Sequence, residues 1–429
     1  MSPRVEPVLT KNIVAGGGPT WLEAYEGNGG YQALRKALRE IGPAGLIKLM
    51  ADSGLRGRGG AGFPTGFKWS AVPPVGETAR PRYFACNLDE MEPGAFKDRY
   101  LVEHDPHQLI EGMLIASYAC QADVGYIFVR GEYQRVIEIL RRALGEAEER
   151  GYIGRNVLGT GWDFDLHVHV SAGRYMCGEE TGLLSSLEGK PANPRSKPPY
   201  PQTSGAWGKP TVVQNTETLC CVPHIVERGA EWFRSIGKAK DAGMKIYGAT
   251  GKVARPGCWE LPMGTTMREL IEEHAGGMRE GHEFRAALPG GASTRFLDKN
   301  EYDVPLEYES LKEIGALFGT GTAIVLDDKT CPVALCRNLA MFYARESCGW
   351  CTPCREGLPW LEALLRDIEE GRGQPGDVEL LLDQCKFIGP NTYCALALGA
   401  VQPLVSGIEK FREDFEGHVR SKRCAYKDI

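Results

Sequence analysis

The stretch "ESCGWCTPCREG", residues 346–357, sets Cys348, Cys351 and Cys354 three residues apart inside sequence that is otherwise helical in pattern. One short loop cannot pair three thiols among themselves, so a disulfide framework does not account for the run. Thiolates are preferred ligands of zinc and iron, and a C-x-x-C-x-x-C spacing lets three sulfurs converge on one metal ion or iron-sulfur cluster. Such a centre requires a fourth ligand, and the flanking sequence says what kind of protein surrounds it.

The last hundred residues repeat apolar side chains at helical spacing. Leu361, Leu364, Leu365 and Ile368 form one such set, Val378, Leu381, Leu382 and Cys385 a second, and Val401, Leu404, Val405 and Ile408 a third. With the helix that runs into Cys348, they predict a four-helix bundle whose first connection carries the cysteine run. From Met244 the pattern is different: "MKIYGATGKV" and "GCWELPMG" read as strands, followed by a helix opened by a Thr266-x-x-Glu269 capping box and then by "EFRAALPGG" and "TAIVLDD". This is a small α+β unit of β-grasp type. The first half alternates again. "PAGLIKLMADSGL", "DPHQLIEGMLIASYACQ" and "QRVIEILRRALGEAEERG" read as helices, while "PRYFACNLDE", "VGYIFVRGEY" and the alternating run from Asp163 to Val170 read as strands, the order of an α/β sheet with helical cover.

Composition narrows the functional classes. The 429 residues are 42% hydrophobic and 25% charged, enough for two or three domains. The first residues show no apolar core followed by a small-residue cleavage site, and the most apolar helix, "LIEGMLIASYACQA", is short and interrupted by Glu111. Fourteen cysteines in such a chain are expected as ligands and buried thiols of a reducing compartment. A net charge of −6 with interspersed signs carries no basic stripe, which argues against nucleic acid and anionic membrane surfaces.

"GLRGRGGAGFPTGFKW", residues 54–69, contains the G-x-G-x-x-G pattern at Gly57, Gly59 and Gly62. The dinucleotide fingerprint requires a strand before that pattern, and here a helix precedes it. What survives is a bare backbone able to approach an anion, with Arg58 and Lys68 adding charge. "NLDEMEPG" places Asn87, Asp89, Glu90 and Glu92 at a strand end, and "YMCGEETG" places Glu179 and Glu180 after the alternating strand. Solvated strand ends would explain either cluster alone. Together with the Gly loop and the Pro-rich loop 189–210, they read as the walls of one pocket.

Five motifs, "GRGGAGFPTGFKW", "NLDEMEPGAFKDR", "YMCGEET", "ANPRSKPPYP" with "GAWGKPT", and "ESCGWCTPCREG", occur in one order. In that order they resemble the NADH-binding, flavin-bearing subunits of bacterial respiratory complex I, from about Gly30 to Val419. The resemblance implies an α/β FMN- and NADH-binding domain with an N-terminal extension over 1–243, a β-grasp domain over 244–330, and a helical bundle with a 4Fe-4S cluster over 331–429. It assigns FMN contacts to Gly57, Arg58, Gly59, Gly60, Lys68, Asn87, Asp89, Glu90, Gly178, Glu179, Glu180 and Asn215, with Gln214 left open. NADH contacts fall on Phe63, Glu92, Glu180, Lys197 and Tyr200, of which Glu92, near the adenine ribose, and Glu180 are the catalytic carboxylates. The cluster ligands it implies are Cys348, Cys351, Cys354 and Cys394.

Cys385 lies on the apolar face of its own helix and reads as core. Cys331, Cys336, Cys424 and the Cys220-Cys221 pair read as isolated thiols. By resemblance, NADH reduces FMN by direct hydride transfer, with orientation rather than a general base as the protein's task. Electrons then pass singly through the 4Fe-4S cluster to a 2Fe-2S thioredoxin-like subunit and a large Fe-S subunit, and on to quinone. The membrane arm is touched only indirectly, from the cytoplasmic side. Two alternatives stand beside this reading. One is the diaphorase subunit of a soluble NAD-linked hydrogenase or formate dehydrogenase, disfavoured by the absence of a thioredoxin-like extension. The other is a structural zinc module on an inert scaffold.

Overall fold

A computed structural model describes residues 6–78 and 80–426. Their first sheet has four strands, β1 (Tyr83–Leu88), β2 (Val124–Val129), β3 (Asp165–Val170) and β4 (Thr211–Asn215), in the spatial order β3-β2-β1-β4. Every pairing is parallel. Parallel strands buried on both faces read as apolar runs, and Phe84, Ala85, Cys86 and Leu88 of β1 are all fully buried. β3 starts two residues later than the alternation predicts.

Seven helices matter for the site: α1 (Gly42–Ser53), α2 (Thr65–Ser70), α3 (Lys97–His104), α4 (Pro106–Ala119), α5 (Gln134–Glu149), α6 (Glu180–Leu187) and α7 (Thr216–Arg228). α6 buries Leu183, Leu184 and Leu187 against Ala85, Phe128 and Val213 of the sheet. α4 and α7 pack so closely that a Cβ on Gly112 would lie 2.0 Å from the carbonyl oxygen of Leu219.

β4 is absent from the sequence-based expectations, because "TVVQN" is short, lacks alternation and follows the Pro-rich loop. Its position decides where a ligand can bind. The chain steps from β1 through β2 to β3, then returns to lay β4 on the opposite side of β1. The order therefore reverses between β1 and β4, where loops leaving the carboxyl ends diverge and open a crevice. Asn87 and Asn215 are register partners at that point.

The described residues divide into two units, one holding the chain up to Met91, Phe96–Ile246 and Glu260–Gly264, the other Glu92–Ala95, Tyr247–Trp259 and the chain from Thr265 onward. A mixed sheet is formed by β5 (Met244–Gly251), β6 (Gly257–Pro262), β7 (Phe284–Leu288), β8 (Leu297–Asp298) and β9 (Thr322–Asp327), in the order β6-β5-β9-β7-β8. Its first and last strands, β5 and β9, lie side by side and parallel, as in a β-grasp. The Thr266–Glu269 capping box forms, but the helix it opens is only Met267–Glu269 before a π turn over Leu270–His274.

Four helices complete the second unit: α8 (Pro332–Glu346), α9 (Thr352–Glu369), α10 (Asp377–Ile388) and α11 (Leu396–Ser421). Their periodic positions supply the bundle core, with Leu361, Leu365, Ile368, Val378, Leu381, Cys385, Val401, Leu404 and Ile408 buried. The cysteine run begins in the connection between α8 and α9, as the periodicity predicts, but ends at Cys354 in the first turn of α9.

Under the crevice of the first unit lies a buried ionic network. Glu217, fully buried at the start of α7, meets Lys97 Nζ and Lys245 Nζ at 2.9 Å each, and its Oε1 accepts from Ile246 N at 2.7 Å. Burial alone would raise this carboxyl, but Lys245, Lys97 and Arg58 outweigh it and hold it at about 2. Because the folded value lies below the unfolded value of about 4.3, the stability it supplies is present above that pH and is lost as pH falls toward 2. Glu217→Gln takes the shared carboxylate from Lys245 and leaves Lys97 to Asp98, and it should cost about 3–5 kcal/mol. Denaturant titration at neutral pH checks this, and an unchanged midpoint would show that the lysines find other partners.

Candidate functional site

The Gly loop connects α1 to α2, the helix–loop–helix context that rules out a Rossmann turn. Gly57 N donates to Phe63 O, and Thr65 N to Leu55 O, each at 2.9 Å, closing the loop at its base. Gly60 has φ +132° and Gly62 φ +64°, values that L side chains rarely adopt. Gly59 lies against Asn215, whose Cβ would be 3.1 Å from an added Cβ. Among the described residues, no hydrogen bond within the chain uses the N–H groups of Gly59 and Gly60. Phe63 is 47% exposed and Phe67 65%, and their rings lie 5.8 Å apart.

Arg58 serves the loop from below. Its guanidinium is turned into the protein, with Nη2 donating to Ala242 O at 2.9 Å, while its backbone N donates to Thr218 Oγ1 at 2.8 Å. Nε and Nη1 are buried without a hydrogen-bond partner. Thr218 holds the loop to α7, a role that no sequence signal separates from an ordinary helix residue.

The strand ends meet the loop. Asn87 Nδ2 donates to Gly178 O at 2.9 Å, bringing "YMCGEETG" beside β1. Ser171 Oγ donates to Asp89 Oδ2 at 2.6 Å. Three of the expected ligand-facing residues serve helix starts: Glu90 accepts from Asp98 N and Arg99 N at 3.1 Å each in the first turn of α3, Asn215 Oδ1 accepts from Thr218 N at 3.2 Å as the N-cap of α7, and Glu179 is the N-cap of α6. Burial, reinforced by Asp98, lifts the Glu90 carboxyl to about 7.

Glu180 lies between two cations. Lys68 Nζ is 2.8 Å from its Oε2 and Lys197 Nζ 2.6 Å from its Oε1. Lys68 also donates to Val213 O of β4 at 3.0 Å. Burial pushes Glu180 up, yet Lys68 and Lys197 prevail and keep its carboxyl below the ordinary value, so it is ionised at neutral pH. Glu179 caps α6, accepting from Thr181 N and Gly182 N at 2.8 Å each, and reaches Lys197 at 3.2 Å. Lys197 and the 57% exposed Tyr200 stand on the Pro-rich loop. That loop is fastened by Arg195 N to Thr181 Oγ1 at 2.8 Å and Trp207 N to Glu188 Oε1 at 2.8 Å. Thus Gly57, Gly59, Lys68, Asn87, Asp89, Gly178, Glu179, Glu180, Lys197 and Asn215 gather at the switch point between β1 and β4. Glu92 belongs to the second unit, where its Oε1 accepts from Ser293 N at 2.7 Å.

A phosphate-bearing, planar cofactor fits this arrangement. The loop offers bare amides, Lys68 a cation, and the aromatic rings apolar faces.

In the bundle, Cys351 is the N-cap of α9, Cys354 lies in its first turn, and Cys394 immediately precedes the α11 N-cap Ala395. Helix N-termini favour thiolate charge. Cys354 is 5% exposed, and burial pushes its thiol up to about 11, with Cys351, Cys394 and Cys348 adding in the same direction. All four thiols lie at neighbouring helix starts of the bundle, and their chemistry, a four-cysteine donor set, fits an iron-sulfur cluster. Ser347 Oγ is 3.1 Å from Cys354 Sγ. Cys385 is core, as expected. Two thiols are not isolated as the sequence suggested: Cys331 and Cys424, 93 residues apart in the chain, converge with His418. Only the tertiary fold brings them together.

Residues 50–224 match the Nuo51 FMN-binding domain, residues 248–297 the SLBB domain, and residues 334–418 the NADH-ubiquinone oxidoreductase-F iron-sulfur binding region. The NADH-quinone oxidoreductase F subunit of Escherichia coli (strain K12) is 55% identical over 403 residues, 94% of this chain and 90% of that protein. The corresponding F 2 subunit of Rhizobium meliloti (strain 1021) is 49% identical over 421 residues, covering 98% and 99%. Among solved structures, an NAD+-reducing NiFe hydrogenase in the H2-reduced state superimposes with a TM-score of 0.83 at 34% identity, covering 97% of this chain and 67% of that one.

Gly60→Val places a β-branched residue at a left-handed φ, which costs about 1–3 kcal/mol and weakens flavin retention roughly 5- to 150-fold. Flavin and iron analysis of the purified variant checks this: iron should be unchanged, and normal flavin content would acquit the loop.

Proposed function

Because the chain belongs to the family of NADH-quinone oxidoreductase F subunits, we propose that the side chains gathered at the β1–β4 switch point hold its flavin and nicotinamide. The chain is the electron-input subunit of an NADH:quinone oxidoreductase. When bound, FMN takes a hydride from NADH and the 4Fe-4S cluster carries the electrons onward singly, ultimately to quinone.

The observation that carries the site assignment is the unengaged amide crest of Gly59 and Gly60 beside Lys68 and the paired strand ends. Gly57, Gly59, Gly60 and Lys68 take the flavin phosphate and its neighbours, with Arg58 bracing the loop. Asn87, Asp89, Glu90, Gly178, Glu179 and Asn215 line the flavin, Glu90 and Asn215 by holding helix ends in place. Glu180, kept ionised between Lys68 and Lys197, accepts hydrogen bonds that orient the nicotinamide against the flavin ring. Phe63 and Tyr200 supply stacking faces, and Lys197 meets nucleotide phosphate. No residue here would need to take a proton from carbon, since a bound flavin would supply the hydride acceptor and the protein the orientation.

The 4Fe-4S ligands we assign are Cys348, Cys351, Cys354 and Cys394. The chain works in a multisubunit complex with other Fe-S subunits, and we assign it a 2Fe-2S thioredoxin-like partner and a large Fe-S partner. Support comes from apolar residues left exposed around the ligands: Trp350, between Cys348 and Cys351, is 58% exposed, and Tyr393, next to Cys394, 43%. Among the described residues no helix is long and apolar enough to cross a membrane, and we place the protein peripherally, on the cytoplasmic side. The likeness to the NAD+-reducing hydrogenase supports a second reading, the same module feeding a soluble hydrogenase; the higher identity to F subunits favours the first.

Cys354→Ser should abolish the 4Fe-4S EPR signal while NADH still reduces the flavin, because the two centres are built from different residues. A full-strength signal would refute that ligand assignment.

Glu92 we assign to nucleotide choice, its carboxylate accepting from the adenine ribose hydroxyls and repelling a 2′-phosphate. Glu92→Gln should keep NADH oxidation within about tenfold and raise kcat/KM for NADPH by at least ~10-fold, about 1.4 kcal/mol. Steady-state kinetics with both nucleotides checks it, and an unchanged preference would leave Glu92 without a part in nucleotide choice.

A further inference from the structure

Away from the four cluster cysteines, Cys331, His418 and Cys424 form a second cluster, all three buried and with their ligand atoms mutually within 4.8 Å. We propose that this is a metal site for a thiolate-preferring divalent ion, Zn2+, that clips the C-terminal turn onto the helical bundle.

The geometry carries the argument. Cys331 is the N-cap of α8, with Ala334 N donating to its Sγ at 3.4 Å, so a backbone amide offsets part of the burial that raises this thiol. His418 lies in the last turn of α11, and its Nδ1 is 2.6 Å from the carbonyl oxygen of Asp414. A carbonyl can only accept, so Nδ1 carries the hydrogen and Nε2 presents a lone pair. That fixes the tautomer as backbone carbonyls do for metal-ligating histidines. Nε2 faces Cys331 Sγ at 3.5 Å. A tetrahedral zinc with Zn–S of about 2.3 Å and Zn–N of about 2.0–2.1 Å has an S···N edge of roughly 3.5–3.6 Å, so ligand positions already suit the ion.

Cys424 arrives because α11 ends at Lys422 in the left-handed conformation, φ +55°, which turns the chain back. Lys422 Nζ donates to Gly373 O, and Ser421 Oγ bonds to Arg423 O at 2.9 Å, holding that turn. Entry of Zn2+ displaces the Sγ–H protons of both cysteines to solvent and leaves the imidazole neutral. Two thiolates then balance the ion's two charges, so no net charge is buried, and water completes the fourth position.

The test uses the full chain carrying its flavin and cluster, incubated with Zn2+ and then freed of loose metal on a chelating resin. About one zinc should remain per chain, with X-ray absorption at the zinc edge showing two sulfurs near about 2.3 Å and one imidazole nitrogen near about 2.0 Å. The Cys331→Ser, Cys424→Ser double variant and His418→Gln should each lose that zinc with iron and flavin contents unchanged. If either variant fails to fold, the absorption spectrum of the unaltered protein decides. Zinc absent from that protein, zinc in an all-sulfur or sulfur-free shell, zinc retained by the folded variants, or a Cys331–Cys424 disulfide found by mass spectrometry each overturns the proposal.

Discussion

Glu217 is the contact on which the first unit depends. A carboxylate removed from water is tolerated only when cations and donors surround it, and here Lys97, Lys245 and the Ile246 amide do so. These partners come from segments far from α7 in the chain, Lys97 from α3 and the other two from the start of β5. The same charges organise the ligand end of the sheet. Asp98 pairs with Lys97 at 2.7 Å and accepts from Asn215 Nδ2 at 2.8 Å, so the residue that caps α7 is also tied to α3. The crevice between β1 and β4 is therefore lined by residues whose positions are set from beneath by buried charge, the support a binding site needs from its surroundings.

On that base, the assignment we propose gives anion recognition and ring orientation to different kinds of group. Phosphate recognition falls to backbone amides at glycines, where a side chain would hold the anion away. Orientation of the reacting rings falls to carboxylates and aromatics, which can be aimed. Glu180 illustrates the balance: partial burial favours its neutral form, and two lysines reverse that preference, keeping it an acceptor at neutral pH. Cys354 feels the same opposition: burial raises its thiol, while its place in the first turn of α9 favours the thiolate.

Much of this is legible in the chain itself. Helical spacing identifies the bundle, because burying one stripe of a helix requires a period near about 3.6 residues. Three cysteines at three-residue spacing declare a metal or iron-sulfur centre by ligand chemistry alone. The Gly loop offers a bare backbone able to approach an anion, and the helical pattern before it excludes the Rossmann alternative. Strands β1 and β2 stand out as apolar, β-branched and aromatic runs. Resemblance of five ordered motifs then supplies cofactor and substrate.

What the tertiary structure decided is pairing between distant segments. "TVVQN" carries no alternation, since a strand buried on both faces needs none, and only its placement beside β1 creates the switch point where ligand residues meet. Cys331, His418 and Cys424 look like unrelated residues until the left-handed turn at Lys422 folds one onto the others. Glu90 and Asn215 read as ligand-facing polar residues, yet the helix starts beside them claim part of their hydrogen-bonding capacity. Local periodicity and ligand type are properties of neighbouring residues and are written in order along the chain. Which side chains come together from far apart depends on how all the elements pack at once, and no single stretch of sequence records it.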